Sequence, residues 1–319
     1  MRVISPIDNL AECQMLLDAG ADELYGGYVS PAWQEKFSLL TSINQRTFAS
    51  AQISSSDDLI AILDKIHAGE KTFSLTLNAP FYSDDQLSMI VDYVGEVVAA
   101  GIDGIILADL SLLRCLKLNF PDVAFHASTL AHIGNSLAAE VYRDAGVNRM
   151  ILPRHIPVGE ISAIVKACPE AQFDAFLLIG KCPNTEGLCT FHHSSPDRIW
   201  PCEIPYEISP VTGEISPEMK RAIAGQLSWS ETNRRHGCGL CAIPHLLTAG
   251  ISGIKLVGRG APTAQKVANM KLVQEFVDLA DSEDDFDRYR DLAIRAHNKR
   301  FGTPCSPNVC YYPEFYQSE

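Results

Sequence analysis

The sequence has no apolar run long enough to cross a bilayer. Its most hydrophobic region, near residues 97–113, is interrupted by Asp103 and Asp109, well short of the roughly 20 apolar residues a spanning helix needs. The opening MRVISPIDNL carries one arginine and no apolar core, so no secretion signal is expected. Basic charge is scarce: 26 Lys and Arg stand against 39 Asp and Glu, a formal charge of −13 in 319 residues. A surface that tracks phosphates would need a local excess of cations, so RNA is disfavoured as a partner. No GxGxxG follows the first strand pattern, which weighs against a doubly wound dinucleotide fold. Neither HExxH nor GxSxG occurs. What these absences leave is a cytoplasmic globular protein. The 46% hydrophobic and 20% charged content suits a sizeable core and excludes wholesale disorder.

What is present is a rhythm. Short β-rich runs at 2–4, 23–28, 72–78, 104–108, 123–128, 149–152, 173–179 and 253–257 alternate with amphipathic stretches. Those stretches are 10–19, 57–68, 84–100, 110–118, 136–145, 159–167, 244–249 and 264–279. Ser-Ser-Asp-Asp at 55–58 and Ser-Asp-Asp at 83–85 supply helix-start chemistry. Ala-Gly at 19–20, 100–101, 145–146 and 249–250 puts glycine where a helix must stop in a left-handed turn before the next strand. Eight such units predict an α/β fold of the (β/α)8, TIM-barrel-like type. The rhythm breaks after the seventh strand, in a stretch carrying six prolines and read as a looped excursion. The expected organisation is residues 1–180 for the first seven strands and 181–238 for a cysteine-rich insertion. Residues 239–300 hold the last unit and closing helices, and 301–319 form a C-terminal tail wrapping the barrel.

Ten cysteines are many for a chain without a secretion signal, and disulfides are disfavoured in a reducing compartment. Cys13, Cys115 and Cys168 fall in helical patterns and read as inert core. Cys182, Cys189, Cys202, Cys238 and Cys241 crowd the insertion and its exit, while Cys305 and Cys310 lie in the tail. Three readings stand beside one another: uninvolved thiols, a zinc site with C-G-L-C at 238–241 as one half, and an iron–sulfur cubane. The cubane is favoured because it tolerates irregular spacing when loops converge.

Three stretches carry a resemblance. They are FHASTLAHIGNSLAAEVYRDAGVNRMILPRHI (125–156), FDAFLLIGKCPNTEGLC (173–189) and LCAIPHLLTAGISGIKLVGR (240–259). Together they resemble the collagenase-like peptidase family U32. The resemblance implies a 4Fe-4S cluster held by four cysteines, here Cys182, Cys189, Cys202 and Cys241, with Cys238 as the alternative to Cys241. It also implies oxygen-independent hydroxylation, despite the peptidase label. Leu130, His155, Leu188 and Val257 stand where the family usually shows Gln, Glu, Arg and Glu, which marks a divergent branch.

The favoured expectation is an enzyme or enzyme subunit, with a homologous partner subunit, acting on a small or medium-sized substrate. The alternatives are a peptidase and a non-catalytic scaffold with a structural cluster or zinc. Strand ends at the C-terminal face of a barrel supply the candidate residues. His126, Arg154 and Lys255 are read as catalytic. Asn78, Asp109, Ser128, Thr129 and Arg259 are read as substrate-binding, the arginines suiting a planar anion. His192 and His193, between cluster cysteines, could hydrogen-bond a sulfur or face solvent. The acidic run 281–287 followed by basic residues reads as one solvated helix whose charges complement its dipole.

Overall fold

Alternation along the strands decides which side chain faces the barrel axis and which faces the helices. In the computed structural model, β1 (Arg2–Pro6), β2 (Glu23–Gly26), β3 (Thr72–Leu77) and β4 (Gly104–Leu107) are followed by β5 (Ala124–Ala127), β6 (Arg149–Ile151), β7 (Gln172–Phe176) and β8 (Gly253–Lys255). Each pairs in parallel with the next, and β8 returns to β1 with Lys255 opposite Ile4, so the barrel is closed. Val3, Leu24, Phe73, Leu75, Ile105, Phe125, Met150, Phe173 and Ile254 take the outward positions and are fully buried under the helices. The structure describes residues 1–37, 43–46, 49–182, 185–188, 207, 209, 211, 213–231 and 234–316.

The helices are α1 (Cys13–Asp18), α2 (Pro31–Lys36), α3 (Ser56–Ala68), α4 (Asp84–Ala99), α5 (Leu110–Asn119) and α6 (Ser136–Asp144). They continue with α7 (Val158–Ala167), α8 (Pro217–Glu231), α9 (Ile243–Thr248), α10 (Thr263–Ala280) and α11 (Phe286–Phe301). Ser55 caps α3 by accepting the Asp58 amide at 3.1 Å, and Gln86 returns to the Ser83 amide at 2.8 Å at the start of α4. All four Ala-Gly stops adopt the left-handed turn, with φ of 97°, 100°, 97° and 88° at Gly20, Gly101, Gly146 and Gly250. The acidic run does open a helix: Asp285 caps α11 by accepting the amides of Asp287 and Arg288.

The stretch after β7 differs from the irregular excursion expected of it. Its second half contains α8, fifteen residues long and mostly exposed. Proline fits there because Pro217 is the first helical residue, where an amide hydrogen would go unused. The following EMKRAIAGQL is mostly good helix-forming sequence, interrupted by one glycine. The tail crosses the end of β7, where the Tyr311 and Tyr312 hydroxyls donate to the carbonyls of Ile179 and Phe176 at 2.5 and 3.0 Å. Among the described residues no helix is long and apolar enough to cross a membrane.

Candidate active site

The barrel interior holds two polar layers. In the lower one Arg149 donates two hydrogen bonds to Glu23, one to Ser74 at 3.2 Å and one to His126 Nδ1 at 2.6 Å. Asp174 lies 3.4 Å from Arg149 and 3.5 Å from Arg2. Glycine makes room for this layer. A Cβ at Gly104 would come within 2.6 Å of the His126 ring, and one at Gly253 within 2.4 Å of the Asp174 carboxylate. Burial by itself would raise the Glu23 carboxyl, but the bonds from Arg149 prevail and hold it at about 2. Burial, helped by Arg149, pushes His126 well below the ordinary imidazole range. The ring is therefore neutral and serves as an acceptor for Arg149.

Above this layer, at the C-terminal ends of the strands, a cavity of about 790 Å³ opens to solvent, the volume including its mouth. The strands contribute Tyr25, Thr76, Ile106, Ile151, Phe176 and Lys255, and the connections after them Asn78, Ser128, Thr129, Arg154 and Arg259. Asn78 accepts the Gln45 amide at 3.2 Å and donates to Ser128 Oγ at 3.3 Å, which fixes one wall.

Among the described residues four cations border the cavity, and their partners differ. Arg46 is consumed by the scaffold: it pairs with Asp8 at 2.7 Å and donates to the carbonyls of Ile7, Tyr25 and Ala51. Arg154 lies over the Phe176 ring and 2.8 Å from Glu186, whose other oxygen accepts the Arg154 amide at 3.1 Å. Arg259 donates to the Gln45 carbonyl. Lys255 projects its amine 3.7 Å from the centroid of the Tyr25 ring. Among the described residues neither Lys255 nor Arg259 has a carboxylate ion pair. Burial pulls Lys255 down to about 7, with Glu23 opposing and Arg149 reinforcing the shift. Burial and Arg46 pull Arg259 down to about 10.

Of the residues expected from sequence, the cavity collects Arg154, Lys255, Asn78, Ser128, Thr129, Arg259 and Cys182. His126 is placed in the layer beneath, outside the cavity lining. Asp109 is used to cap α5, accepting the Leu112 amide at 2.9 Å, and is likewise absent from the lining. Cys189, Cys202, His192 and His193 lie outside the described residues. Cys241 is absent from the lining and lies three residues after Cys238, which the tail bridges at Cys310. Among the described residues no three His, Cys, Asp or Glu side chains are gathered closely enough to hold a metal.

Sequence reading missed Tyr25, Arg46, Phe176 and Glu186. Tyr25 and Phe176 could have been found from strand alternation, being two residues on from Glu23 and Asp174. Arg46 and Glu186 lie in irregular segments, where no periodicity reports direction.

The model of peptidase family U32 matches residues 8–308. A tRNA hydroxylation protein P of Helicobacter pylori is 28% identical over 204 residues, covering 62% of this chain and 44% of that protein. A 23S rRNA 5-hydroxycytidine synthase of Escherichia coli is 24% identical over 267 residues, covering 81% and 36% respectively. The chain thus spans less than half the length of these relatives. Among solved structures, the U32 peptidase Mk0906 superposes with a TM-score of 0.51 at 12% identity, covering 82% of this chain and 94% of that one, a likeness of fold.

Proposed function

The chain belongs to peptidase family U32, and from that membership and the cavity we propose a hydroxylation-type enzyme, or enzyme subunit, acting on a small or medium-sized anionic substrate. The observation that carries the substrate class is the pair Lys255, buried, and Arg259, half-buried, two cations at the cavity wall without a carboxylate ion pair among the described residues. A carboxylate or phosphate entering the mouth would satisfy both, and Arg259 could grip such a planar group at two points. Asn78, Ser128 and Thr129 are the neutral groups left to orient the rest of the substrate. The relatives' names point to RNA bases as hydroxylation targets. Here the net charge of −13 opposes a long polyanion, which favours a smaller molecule.

Oxygen-independent hydroxylation needs a redox group, and an iron–sulfur cluster would supply electron transfer. Cys182 is the described thiol at the cavity; the resemblance joins it to Cys189, Cys202 and Cys241. No imidazole lines the cavity among the described residues. Ser128 Oγ accepts from Asn78 and from the Leu130 amide and meets no base among the described residues, and a peptidase nucleophile needs one, which places the peptidase reading second.

The test is a comparison of small-molecule and nucleoside extracts, by mass spectrometry, from anaerobically grown cells with and without the gene. One compound heavier by a single oxygen is expected to vanish with the gene and to return with the wild-type chain but not with Arg259→Ala. Unchanged extracts, together with peptide cleavage by the purified protein, would reject the proposal.

A further inference from the structure

Lys255 is the cavity cation that the fold leaves without polar company. Only 6% of the residue is exposed, yet it lines the cavity. Strand β8 fixes it there, with Ile4 opposite on one side and Phe176 on the other. The other cations at the cavity have oxygen partners: Arg46 has Asp8, Arg154 has Glu186, and Arg259 has the Gln45 carbonyl. Among the described residues the Lys255 amine makes no hydrogen bond or ion pair. It stands 3.7 Å from the centroid of the Tyr25 ring, whose hydroxyl is spent on the Leu256 carbonyl at 2.7 Å. A π face takes N–H groups or positive charge and leaves the nitrogen lone pair unengaged.

An ammonium group stripped of water and of a carboxylate is costly. Burial, opposed by Glu23 and reinforced by Arg149, brings this amine down to about 7, so an uncharged fraction with a free lone pair exists at neutral pH. A proton carrier would need a hydrogen-bonded neighbour to hand its proton on. The nearby hydroxyls are engaged elsewhere: Thr76 Oγ1 donates to the Gly26 carbonyl at 2.9 Å, and Ser128 Oγ accepts from Asn78 at 3.3 Å. What the arrangement favours is nucleophilic attack, the chemistry open to a desolvated lysine that meets a carbonyl group.

We propose that Lys255 is a covalent nucleophile, forming an imine with the aldehyde or ketone carbonyl of an anionic molecule held in the cavity. The amine nitrogen attacks the carbonyl carbon and a C–N bond forms. The carbonyl oxygen then leaves as water, taking both amine hydrogens, so nothing is oxidised or reduced. Protonated, the imine draws electrons from the neighbouring carbon, which is how a lysine activates a bound carbonyl compound. Arg259, lowered only to about 10, stays charged at neutral pH and grips the anionic group. The anionic group rests on the proposed function, the imine on Lys255 alone.

The test mixes the full chain with glyoxylate at neutral pH and adds sodium borohydride, which reduces an imine to a stable amine. Peptide mass spectrometry then locates the modified lysine. Lys255 is expected to carry the adduct about tenfold or more above the exposed Lys271. Lys255→Met removes it, and Arg259→Ala raises the glyoxylate concentration for half-labelling about tenfold. The mapping on the wild-type chain decides the question without any variant. Glycolate, a carboxylate of similar size without the carbonyl, reads the anion site separately by calorimetry. Glycolate binding with no adduct at Lys255 overturns the imine and leaves the anion site standing. An adduct at Lys255 without glycolate binding upholds the nucleophile and overturns the anionic substrate class. Labelling spread evenly over exposed lysines, or neither binding nor adduct, overturns the proposal.

Discussion

At the scale of single residues, Lys255 is costly to the fold and useful to the site. Its amine stands over Tyr25 with no carboxylate partner among the described residues, and burial brings it from 10.5 to about 7. The unfolded chain keeps that proton up to about 10.5 and the folded chain only to about 7. Unfolding between those values takes up a proton, so this residue's contribution to stability improves as pH rises through that window. Lys255→Met is accordingly expected to stabilise the protein most below about pH 7, with the gain shrinking towards about pH 10. Urea unfolding at about pH 6 and about pH 10 measures it. An equal gain at both values would show that the lysine is not depressed.

At the scale of elements, two polar residues at strand ends separate by use. Asp109 spends its carboxylate on the first turn of α5, while Ser128 faces the cavity across from Asn78. Asp109→Ala should cost about 1 kcal/mol, the worth of a lost cap, and leave anion binding at the cavity unchanged. Calorimetry with and without added phosphate reads both quantities; a large loss of binding would return Asp109 to the site. The lower barrel layer makes a second demand. Gly253→Ala would drive a methyl group against Asp174, for an expected loss of about 1–3 kcal/mol. Denaturant titration checks this, and a neutral result would mean that the layer shifts freely.

At the scale of the whole molecule, the C-terminal tail holds distant parts together. It reaches β7 through Tyr311 and Tyr312, the start of α7 through Glu314, and the segment before α9 through Val309. A chain cut after Pro304 should therefore exchange its Cys238 and Val158 amide hydrogens faster. Amides in the middle of β3 and β4, which pair only within the barrel, should keep their protection. Hydrogen exchange followed by mass spectrometry decides it, and unchanged exchange at Cys238 would mean that the tail is not a structural clip.

Local sequence settled the barrel's periodic parts. All eight strands, the left-handed glycines after α1, α4, α6 and α9, and the capping of α3 and α4 follow from alternation, turn chemistry and caps, which act over a few residues. The family was readable for a similar reason, since its motifs are contiguous stretches at strand ends. Alternation also put Lys255 on the inward face, and the Arg154 and Arg259 positions after the strands brought them to the mouth. Tertiary structure alone decided which polar groups were already spoken for. Whether Asp109 caps or binds depends on the free amide of Leu112, and whether His126 is a proton carrier or a neutral acceptor depends on Arg149 from the neighbouring strand. Likewise, Cys238 and Cys310 lie too far apart in the chain for any spacing rule to join them. Their meeting rests on a tail segment and two glycines, Gly237 and Gly239, that a local pattern cannot see. Hydrogen-bond satisfaction and burial are sums over neighbours brought together by folding, and a linear pattern holds only the terms that are near in sequence.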